Sequence, residues 1–324
     1  MRISPYLRLV RPTMLPTAAA DAFLGAGCAA TVAGTIFSDE GSWLKLVGGI
    51  VVCMMLYAIG MAVNDIADEK ADRADGRNRP IARGEITSRQ AILFAVTLCV
   101  LAFGAFHIVP KPERSNTILF GLLALVIAVL YDIVHKKAKG LSPFLMGAAR
   151  MANVLTGASA MGLTFDGLAE SPAIFAIVLG YGLYITAVTF FSLLEDEPRD
   201  TGYFIFGYVA AAFSLAVTAP LLRPDETRGY AMVMLSVAGT MIATSLLVFV
   251  STKRRPDLPK FVPVWISLVC LVGGLGFVFL TVGDPKSETI VPGIAMALFF
   301  PTIAGIMTYK SKQKVAETAE KGQE

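Results

Sequence analysis

The chain has 324 residues, of which 55% are hydrophobic and only 16% are charged, and its mean hydropathy is +0.64. Soluble globular domains carry about 25% charged residues, so this composition indicates a chain whose solvent is the lipid bilayer. The net charge of +3 is small, and the basic residues lie in short clusters between apolar runs, which excludes the continuous basic surface expected of a nucleic-acid-binding protein.

Ten apolar runs follow one another along the chain, each long enough to cross a hydrocarbon core. They cover residues 14–36, 43–63, 89–109, 116–132, 142–163, 172–194, 203–222, 230–251, 262–282 and 289–308. A backbone in lipid must satisfy its own hydrogen bonds, and these runs are too long for barrel strands, so they predict helices. We expect an all-α polytopic membrane protein, a bundle of 9–10 transmembrane helices, with one domain over residues 1–310 and a polar cytoplasmic tail over 311–324.

The distribution of Lys and Arg predicts the orientation of the bundle. Most of them lie at the two termini or after even-numbered runs, and the opposite segments hold only Lys111, Arg114, Arg223, Arg228 and Lys286. The positive-inside rule therefore predicts a multi-pass protein of the cytoplasmic membrane with both termini in the cytoplasm. The first run is too long for a signal peptide and is followed by no cleavage site leading into a polar chain, so it is expected to be retained.

The second run leads into a cluster of acidic side chains, the first acidic motif, in which Asn64, Asp65, Asp68 and Asp72 form an N-D-x-x-D-x-x-x-D pattern. If the helix continues through this segment, spacings of three and four residues place the four side chains on one face. Stacked carboxylates need cations to neutralise them, and hard oxygen ligands suit Mg²⁺, which often shares its coordination shell with substrate phosphates. The alternative is an acidic helix end solvated by water. Three aspartates on one face favour the cation site.

A second acidic motif, Asp196 and Asp200, follows the sixth run and is predicted to lie on the same side of the membrane. Two acidic motifs that face one another could hold cations that bridge a diphosphate. Pro198 interrupts the helical hydrogen-bond ladder between them, so one helical face cannot be assigned to the pair. Taken alone, the segment has the character of an ordinary acidic loop.

Basic side chains accompany the acidic motifs. Arg79 and Arg83 lie in the loop after the first acidic motif, and a guanidinium group matches the geometry of phosphate oxygens. Anchoring of the loop at the membrane surface is an equally good interpretation for either arginine. Tyr131 ends the fourth run and Lys136 follows it, where a lysine either anchors the headgroup region or reaches a substrate phosphate.

Two ionisable residues, Asp21 and Arg150, lie inside predicted spans. Such residues usually face a cavity or a partner, so each is a candidate for lining a cavity, and a structural Asp21–Arg150 pair is the alternative. The sixth run also carries four aromatic side chains that either shield a carbocation or, as we favour, pack in the bundle: Tyr181, Tyr184, Phe190 and Phe191.

These motifs resemble those of the UbiA superfamily of intramembrane prenyltransferases, which carry an N-D-x-x-D-x-x-x-D motif after the second helix and a D-x-x-x-D motif after the sixth. The first acidic motif matches without gaps, and Asp196 and Asp200 match the second. The segments Arg11-Pro12, Arg79-Pro80-Ile81 and Gly84-Glu85-Ile86 are also similar. Three features depart from the family pattern: ten apolar runs instead of the common nine, a Tyr131-to-Lys136 spacing of five instead of four, and no basic residue after Gly202.

The resemblance implies a helical bundle around a central cavity that is open to membrane lipid and holds a polyprenyl diphosphate through Mg²⁺. By this resemblance Asp65, Asp68, Asp196 and Asp200 are the catalytic metal ligands. Asn64 and Asp72 support them, and Arg11, Arg79 and Lys136 contact phosphate. The implied reaction transfers the prenyl group to an aromatic or other lipid-soluble acceptor.

A second hypothesis is a transporter or scaffold that keeps the fold without catalysis and binds an isoprenoid or handles an exported metabolite. The complete first acidic motif argues against it, because transporters more often place ionisable groups at the membrane midplane. Asp21 and Arg150 keep the hypothesis open. Transfer onto a glycerol phosphate or haem is also open, although the sequence has no pattern of axial haem ligands.

Overall fold

The structure is a computed structural model that describes residues 4–33, 41–135, 137–196 and 201–218, together with 238–239 and residue 272. Within these ranges the side chains of residues 31, 194–196, 201–204 and 218 are not described. The described part of the chain is all-helical and forms one bundle.

Nine helices occupy the described ranges, and two of them, α1 and α7, have only five residues. In chain order they are α1 Pro5–Leu9, α2 Leu15–Ala33, α3 Ser42–Ala74, α4 Ser88–Ala105, α5 Lys111–Val134, α6 Ser142–Ala160, α7 Phe165–Ala169, α8 Pro172–Asp196 and α9 Thr201–Thr218.

Seven helices of the bundle correspond to the first seven predicted apolar runs. α3 differs most from its run, since it extends far beyond residue 63 and ends only at Ala74. Of the remaining three predicted runs only residues 238–239 and 272 are described, so the choice between nine and ten spans stays a prediction. The predicted tail over 311–324 lies outside the described residues.

Helix α6 lies at the centre of the described bundle, where it packs against α2, α3, α5 and α8. Small residues allow this close packing, as is usual between helices in membranes. A Cβ atom on Gly157 of α6 would lie 2.5 Å from the Cα atom of Ala22 in α2, and one on Gly25 would lie 2.2 Å from the carbonyl oxygen of Val154. The backbones of α2 and α6 are therefore in direct contact.

The outer surface of the bundle is apolar. On α4 the side chains of Leu93, Val100 and Phe103 are each about two-thirds exposed, and α5 exposes Leu119, Leu122 and Val126. Four described helices, α3, α4, α5 and α8, are long and apolar enough to cross a membrane. Exposed apolar faces of this extent require lipid rather than water, and the chain is a multi-pass membrane protein.

Candidate functional site

Helix α3 carries the first acidic motif on its last three turns. The helix is continuous from Ser42 to Ala74, so the condition for placing the four motif side chains on one face is met. Asn64, Asp65 and Asp72 are buried, and the side chain of Asp68 is 18% exposed. The motif therefore faces the interior of the bundle rather than solvent, which contradicts the alternative of a hydrated acidic helix end. We call this end of the bundle the motif end.

Two arginines converge on the carboxylate of Asp65, which is 1% exposed. Arg11 Nη2 donates to Asp65 Oδ1 at 2.8 Å and to Asn64 Oδ1 at 3.0 Å, and Arg79 Nη1 lies 3.4 Å from Asp65 Oδ1. Burial, together with the neighbouring charge of Arg11, lowers the pKa of Arg79, although a guanidinium group stays protonated in proteins. The structure thus brings together two of the three basic residues that the family resemblance assigns to phosphate.

Arg11 reaches the motif because the chain turns sharply between α1 and α2. Its backbone has φ of 46°, in the left-handed region that side chains other than glycine seldom adopt. Strain of this kind persists where surrounding contacts fix it, and it is concentrated at functional sites. The contacts of Arg11 with Asn64 and Asp65 are such a constraint.

The loop after α3 positions Arg79. Two glycines with positive φ, Gly76 at 63° and Gly84 at 70°, reverse the chain at either end of this loop. Arg77 Nε lies 3.6 Å from Asp72 Oδ1, which ties the start of the loop to the last carboxylate of the motif. Arg83 instead donates to Asn78 Oδ1 at 2.8 Å within the loop, away from the motif. Of the two candidates in this loop, Arg79 lies at the motif and Arg83 does not.

His135 occupies the position four residues after Tyr131. Its Nε2 atom lies 3.6 Å from Asp68 Oδ1, and its ring stacks on that of Tyr131, with centroids 5.5 Å apart. The side chain that approaches the motif from this helix is therefore a histidine at the spacing of four. Lys136, the predicted phosphate contact, lies outside the described residues.

Asp132 is a site residue that the sequence reasoning missed. It is buried near the end of α5, where its Oδ1 atom accepts a hydrogen bond of 2.9 Å from Asn64 Nδ2. A carboxylate directly after the tyrosine that ends an apolar run was the available signal. Its proximity to Asn64, 68 positions earlier, depends on the packing of α5 against α3, which residue spacing does not reveal.

A largely apolar cavity extends from the motif end into the bundle between α3, α5 and α6. Tyr131 and Asp132 line it at the motif end, Met61 and Ala128 line it about one turn further along α3 and α5, and Arg150 lines it from within α6. The face of α3 that lines this cavity continues directly into Asn64 and Asp68, since Gly60, Asn64 and Asp68 are spaced four residues apart.

The two intramembrane ionisable residues form a pair, and one of them also lines the cavity. Arg150 Nη1 lies 3.0 Å from Asp21 Oδ2, and Arg150 Nη2 donates to the carbonyl of Thr17 at 2.9 Å. Asn153 and Tyr181 also donate to Asp21, at 2.6 Å and 2.5 Å. Both earlier interpretations of Arg150 are thus confirmed, whereas Asp21 serves only as its buried counter-ion.

The four aromatic side chains of the sixth run are packing residues. Tyr181, Tyr184, Phe190 and Phe191 are among the largest fully buried side chains of the described core, where they pack with α2 and α6. None of the four lines the described cavity. Packing in the bundle, the interpretation favoured from sequence, is confirmed.

The donor atoms at the motif end fit a hard divalent cation in their chemistry. Within the described ranges, Asp65 Oδ2 and Asp132 Oδ2 are buried and have no hydrogen-bond partner, and such orphaned oxygens are costly unless a cation or water satisfies them. No three His, Cys, Asp or Glu residues of the described part lie close enough to hold a metal ion by themselves. Any cation here therefore requires further oxygen ligands.

The second acidic motif is the expected source of such ligands. Asp196 is the last residue of α8, but its side chain is not described, and Asp200 lies outside the described residues. The predicted meeting of the two acidic motifs thus stays a prediction.

Comparison with known proteins gives a consistent assignment. The model of the UbiA prenyltransferase family matches residues 23–269. Over 121 residues the chain is 30% identical to a protoheme IX farnesyltransferase of Colwellia psychrerythraea, covering 37% of this chain and 39% of that protein. Over 85 residues it is 38% identical to a 4-hydroxybenzoate octaprenyltransferase of Nitrosomonas eutropha, covering 26% and 28%.

These two matches span well under half the length of the curated relatives. The fold, in contrast, matches over almost the full chain. A UbiA homolog from Archaeoglobus fulgidus, solved bound to GPP and Mg²⁺, superposes with a TM-score of 0.64 at 16% identity, covering 86% of this chain and 100% of that one. Since the family model covers most of the chain and the same helical architecture recurs, this protein belongs to the UbiA prenyltransferase family.

Proposed function

We propose that this protein is a Mg²⁺-dependent prenyltransferase that moves a polyprenyl group from its diphosphate to an aromatic or other lipid-soluble acceptor. One observation carries the proposal: on a single continuous helix, α3, the face that bears Asn64 and Asp68 runs directly into an apolar cavity within the bundle. A prenyl diphosphate has the same polarity, with a charged head and an apolar chain.

The diphosphate end of the donor is proposed to bind at the motif end. Asp65, Asp68, Asp196 and Asp200 would hold Mg²⁺, with Asn64 and Asp72 supporting them. Arg11 and Arg79 would donate to phosphate oxygens, as would Lys136. Asp65 can contact the arginines and Mg²⁺ at the same time. Its Oδ1 atom contacts Arg11 and Arg79, while its Oδ2 atom has no hydrogen-bond partner within the described ranges.

In the proposed step the allylic C–O bond breaks and both of its electrons leave with the diphosphate. Bound Mg²⁺ would neutralise the negative charge that develops there. Arg11 and Arg79 stabilise the same charge by hydrogen bonds. An electron pair of the acceptor then forms the new bond to the allylic carbon, and the acceptor gives up one proton to the departing diphosphate or to water.

The cavity contributes by excluding water from the allylic cation. It is lined by apolar side chains of α3 and α5, and Tyr131 lines it at the motif end. Water would otherwise react with the cation, and the donor would be hydrolysed to a free prenyl alcohol. The names protoheme IX farnesyltransferase and 4-hydroxybenzoate octaprenyltransferase indicate that relatives differ in their acceptors, so we propose the acceptor here only as a class.

The test is transfer by the purified protein from radiolabelled prenyl diphosphates of several chain lengths to a panel of phenolic, quinonoid and glycerol acceptors, in Mg²⁺ and in chelator. We expect a labelled product that forms only with Mg²⁺ and is lost in Asp68→Ala but kept in Asp75→Ala, a change in an exposed carboxylate just past α3. If the donor stays unaltered in every mixture and binds equally well in Mg²⁺ and in chelator, the result favours the transporter or scaffold instead.

A further inference from the structure

His135 is a residue of the motif end at which this chain differs from the family pattern. That pattern has a lysine four residues after the tyrosine that ends the fourth run, and this chain has His135 there. The ammonium group of a lysine only donates hydrogen bonds and has no lone pair. A neutral imidazole has one, and it is the commonest metal ligand among side chains. The exchange therefore permits a role that a lysine does not have.

The two ring nitrogens of His135 have different surroundings. Nδ1 lies 2.9 Å from the carbonyl oxygen of Asp132. A carbonyl oxygen only accepts, so Nδ1 carries a proton and donates it, and in the neutral ring the lone pair is on Nε2. The ring also stacks on that of Tyr131, with 15° between the two planes. Histidines that bind metals usually donate their other N–H to a carbonyl or carboxylate in this way, which fixes the ring.

The Nε2 atom of His135 lies next to the first acidic motif, 3.6 Å from Asp68 Oδ1. A hydrogen bond between an imidazolium and a carboxylate is shorter, about 2.7–2.9 Å. Two ligands of one divalent cation, each about 2.1 Å from the ion, are at most about 4 Å apart. One ion can therefore contact both atoms.

We propose that His135 is a ligand of the divalent cation at the motif end, which it binds through Nε2 beside Asp68. The inference rests on the proposed function and deepens it by naming a nitrogen ligand in a site that otherwise offers oxygen. No group of three metal-binding side chains occurs in the described part of the chain. The remaining coordination positions are therefore assigned to diphosphate oxygens, to water and to the second acidic motif.

A nitrogen ligand changes which ion the site prefers. Mg²⁺ selects oxygen ligands, whereas imidazole binds first-row transition ions more strongly. We expect His135→Gln to lower the affinity for Mn²⁺ by about tenfold or more and to affect Mg²⁺ less, so that the ratio of the two affinities falls. Competition between the two ions is measured on the full-length protein with a non-hydrolysable prenyl thiolodiphosphate. An unchanged ratio would overturn the proposal.

Electron spin echo envelope modulation of bound Mn²⁺ detects a coordinated nitrogen directly. The chain has two histidines, and His107 follows α4, whose 18 residues span about 27 Å away from the motif end. The protein is purified without a histidine tag and loaded with Mn²⁺ and the thiolodiphosphate. We expect nitrogen modulation in the wild type and in His107→Gln, and its loss in His135→Gln. Labelling the histidines with ¹⁵N should alter the modulation.

His135→Lys tests the alternative that this position only supplies positive charge to the diphosphate. The lysine keeps a charge but its ammonium group cannot bind the ion, so we expect the modulation to disappear and the Mn²⁺ affinity to fall by about tenfold. Wild-type Mn²⁺ affinity in His135→Lys would overturn the ligand role.

Metal binding without turnover keeps this inference distinguishable from the proposed function. If Mn²⁺ binds the wild type without nitrogen modulation, the cation site stands and His135 is not its ligand. Nitrogen modulation from His135 in a protein that transfers no prenyl group would support the ligand although the proposed function fails. If Mn²⁺ does not bind beside the thiolodiphosphate, both are refuted.

Discussion

Asp65 is the residue on which the basic and acidic parts of the site converge. It is almost fully buried, and one of its oxygens contacts both Arg11 and Arg79. A buried carboxylate requires such partners, and the two guanidinium groups are in turn held next to the proposed diphosphate position. Asp132 adds a second buried carboxylate with an oxygen that has no hydrogen-bond partner within the described ranges.

Replacing Arg11 should weaken binding of the prenyl diphosphate. We expect Arg11→Ala to lower kcat/KM for the donor by about tenfold or more, because a charge-assisted contact to phosphate is lost. Arg8→Ala is the matched control, since Arg8 lies on α1 and pairs with Glu85 rather than with the motif. Steady-state kinetics with varied donor check this, and equal losses in both variants would contradict a phosphate contact by Arg11.

Replacing Asp132 should weaken metal binding at the motif end. We expect Asp132→Asn to lower the affinity for Mn²⁺, used as a probe for Mg²⁺, by about tenfold, as is typical of groups that support a metal site. Electron paramagnetic resonance of Mn²⁺ titrated in the presence of a prenyl diphosphate measures the affinity. Asp75→Asn, in the exposed loop, should leave it unchanged, and wild-type affinity in Asp132→Asn would exclude this role.

Among the helices, α3 and α6 determine the site. α3 is long enough to cross the membrane and then to carry the motif three turns further as one rigid element. α6 packs against α2, α3 and α5, and it meets α2 through backbone contacts that only small residues permit. The cavity lies between α3, α5 and α6, so its shape depends on how α6 packs against α3 and α5.

A side chain at the α2–α6 contact should destabilise the bundle. We expect Gly157→Val to lower the stability by about 1–3 kcal/mol or more, because a Cβ atom there would lie 2.5 Å from the backbone of α2. Gly140→Val is the control, since no atom lies within 4 Å of a Cβ atom at Gly140. Thermal unfolding in detergent compares the two, and equal midpoints would show that α2 and α6 are not in close contact.

For the whole molecule, the sequence was sufficient to predict features that depend on the spacing of residues within one helix. Helical periodicity predicts that Asn64, Asp65, Asp68 and Asp72 share a face, and the length of apolar runs predicts the membrane helices. Contacts between distant helices were not predictable in this way. The hydrogen bond between Asn64 and Asp132 depends on how far α5 is shifted along α3, and residue spacing within either helix contains no information about that shift.

The same reasoning applies to the buried polar side chains around Asp21, which are Arg150, Asn153 and Tyr181. The sequence identified Asp21 and Arg150 as unusual but left their roles open, since their distance depends on the close contact of α2 with α6. Asn153 and Tyr181 were not predicted as partners of Asp21, because an amide or a phenol in a membrane helix has many ordinary roles. The structure brings all four side chains together.

The predicted orientation of the whole molecule can be tested directly. With the motif end in the cytoplasm, a cysteine at Asp166 of α7 should react with a membrane-impermeant maleimide added to intact cells. A cysteine at Asp75 should react only after permeabilisation. Both are introduced into a chain without its own cysteines, and the opposite labelling pattern would show that the bundle is inverted.

We propose that the carboxylates on α3 bind a prenyl diphosphate through a divalent cation. The most direct measurement is calorimetric titration of the full-length protein with a non-hydrolysable prenyl thiolodiphosphate, in Mg²⁺ and in chelator, for the wild type, Asp68→Asn and Asp75→Asn. We predict tight binding that requires Mg²⁺ in the wild type and in Asp75→Asn, and that is weakened at least about tenfold in Asp68→Asn. Binding of equal strength in chelator, or unchanged binding in Asp68→Asn, would contradict the claim.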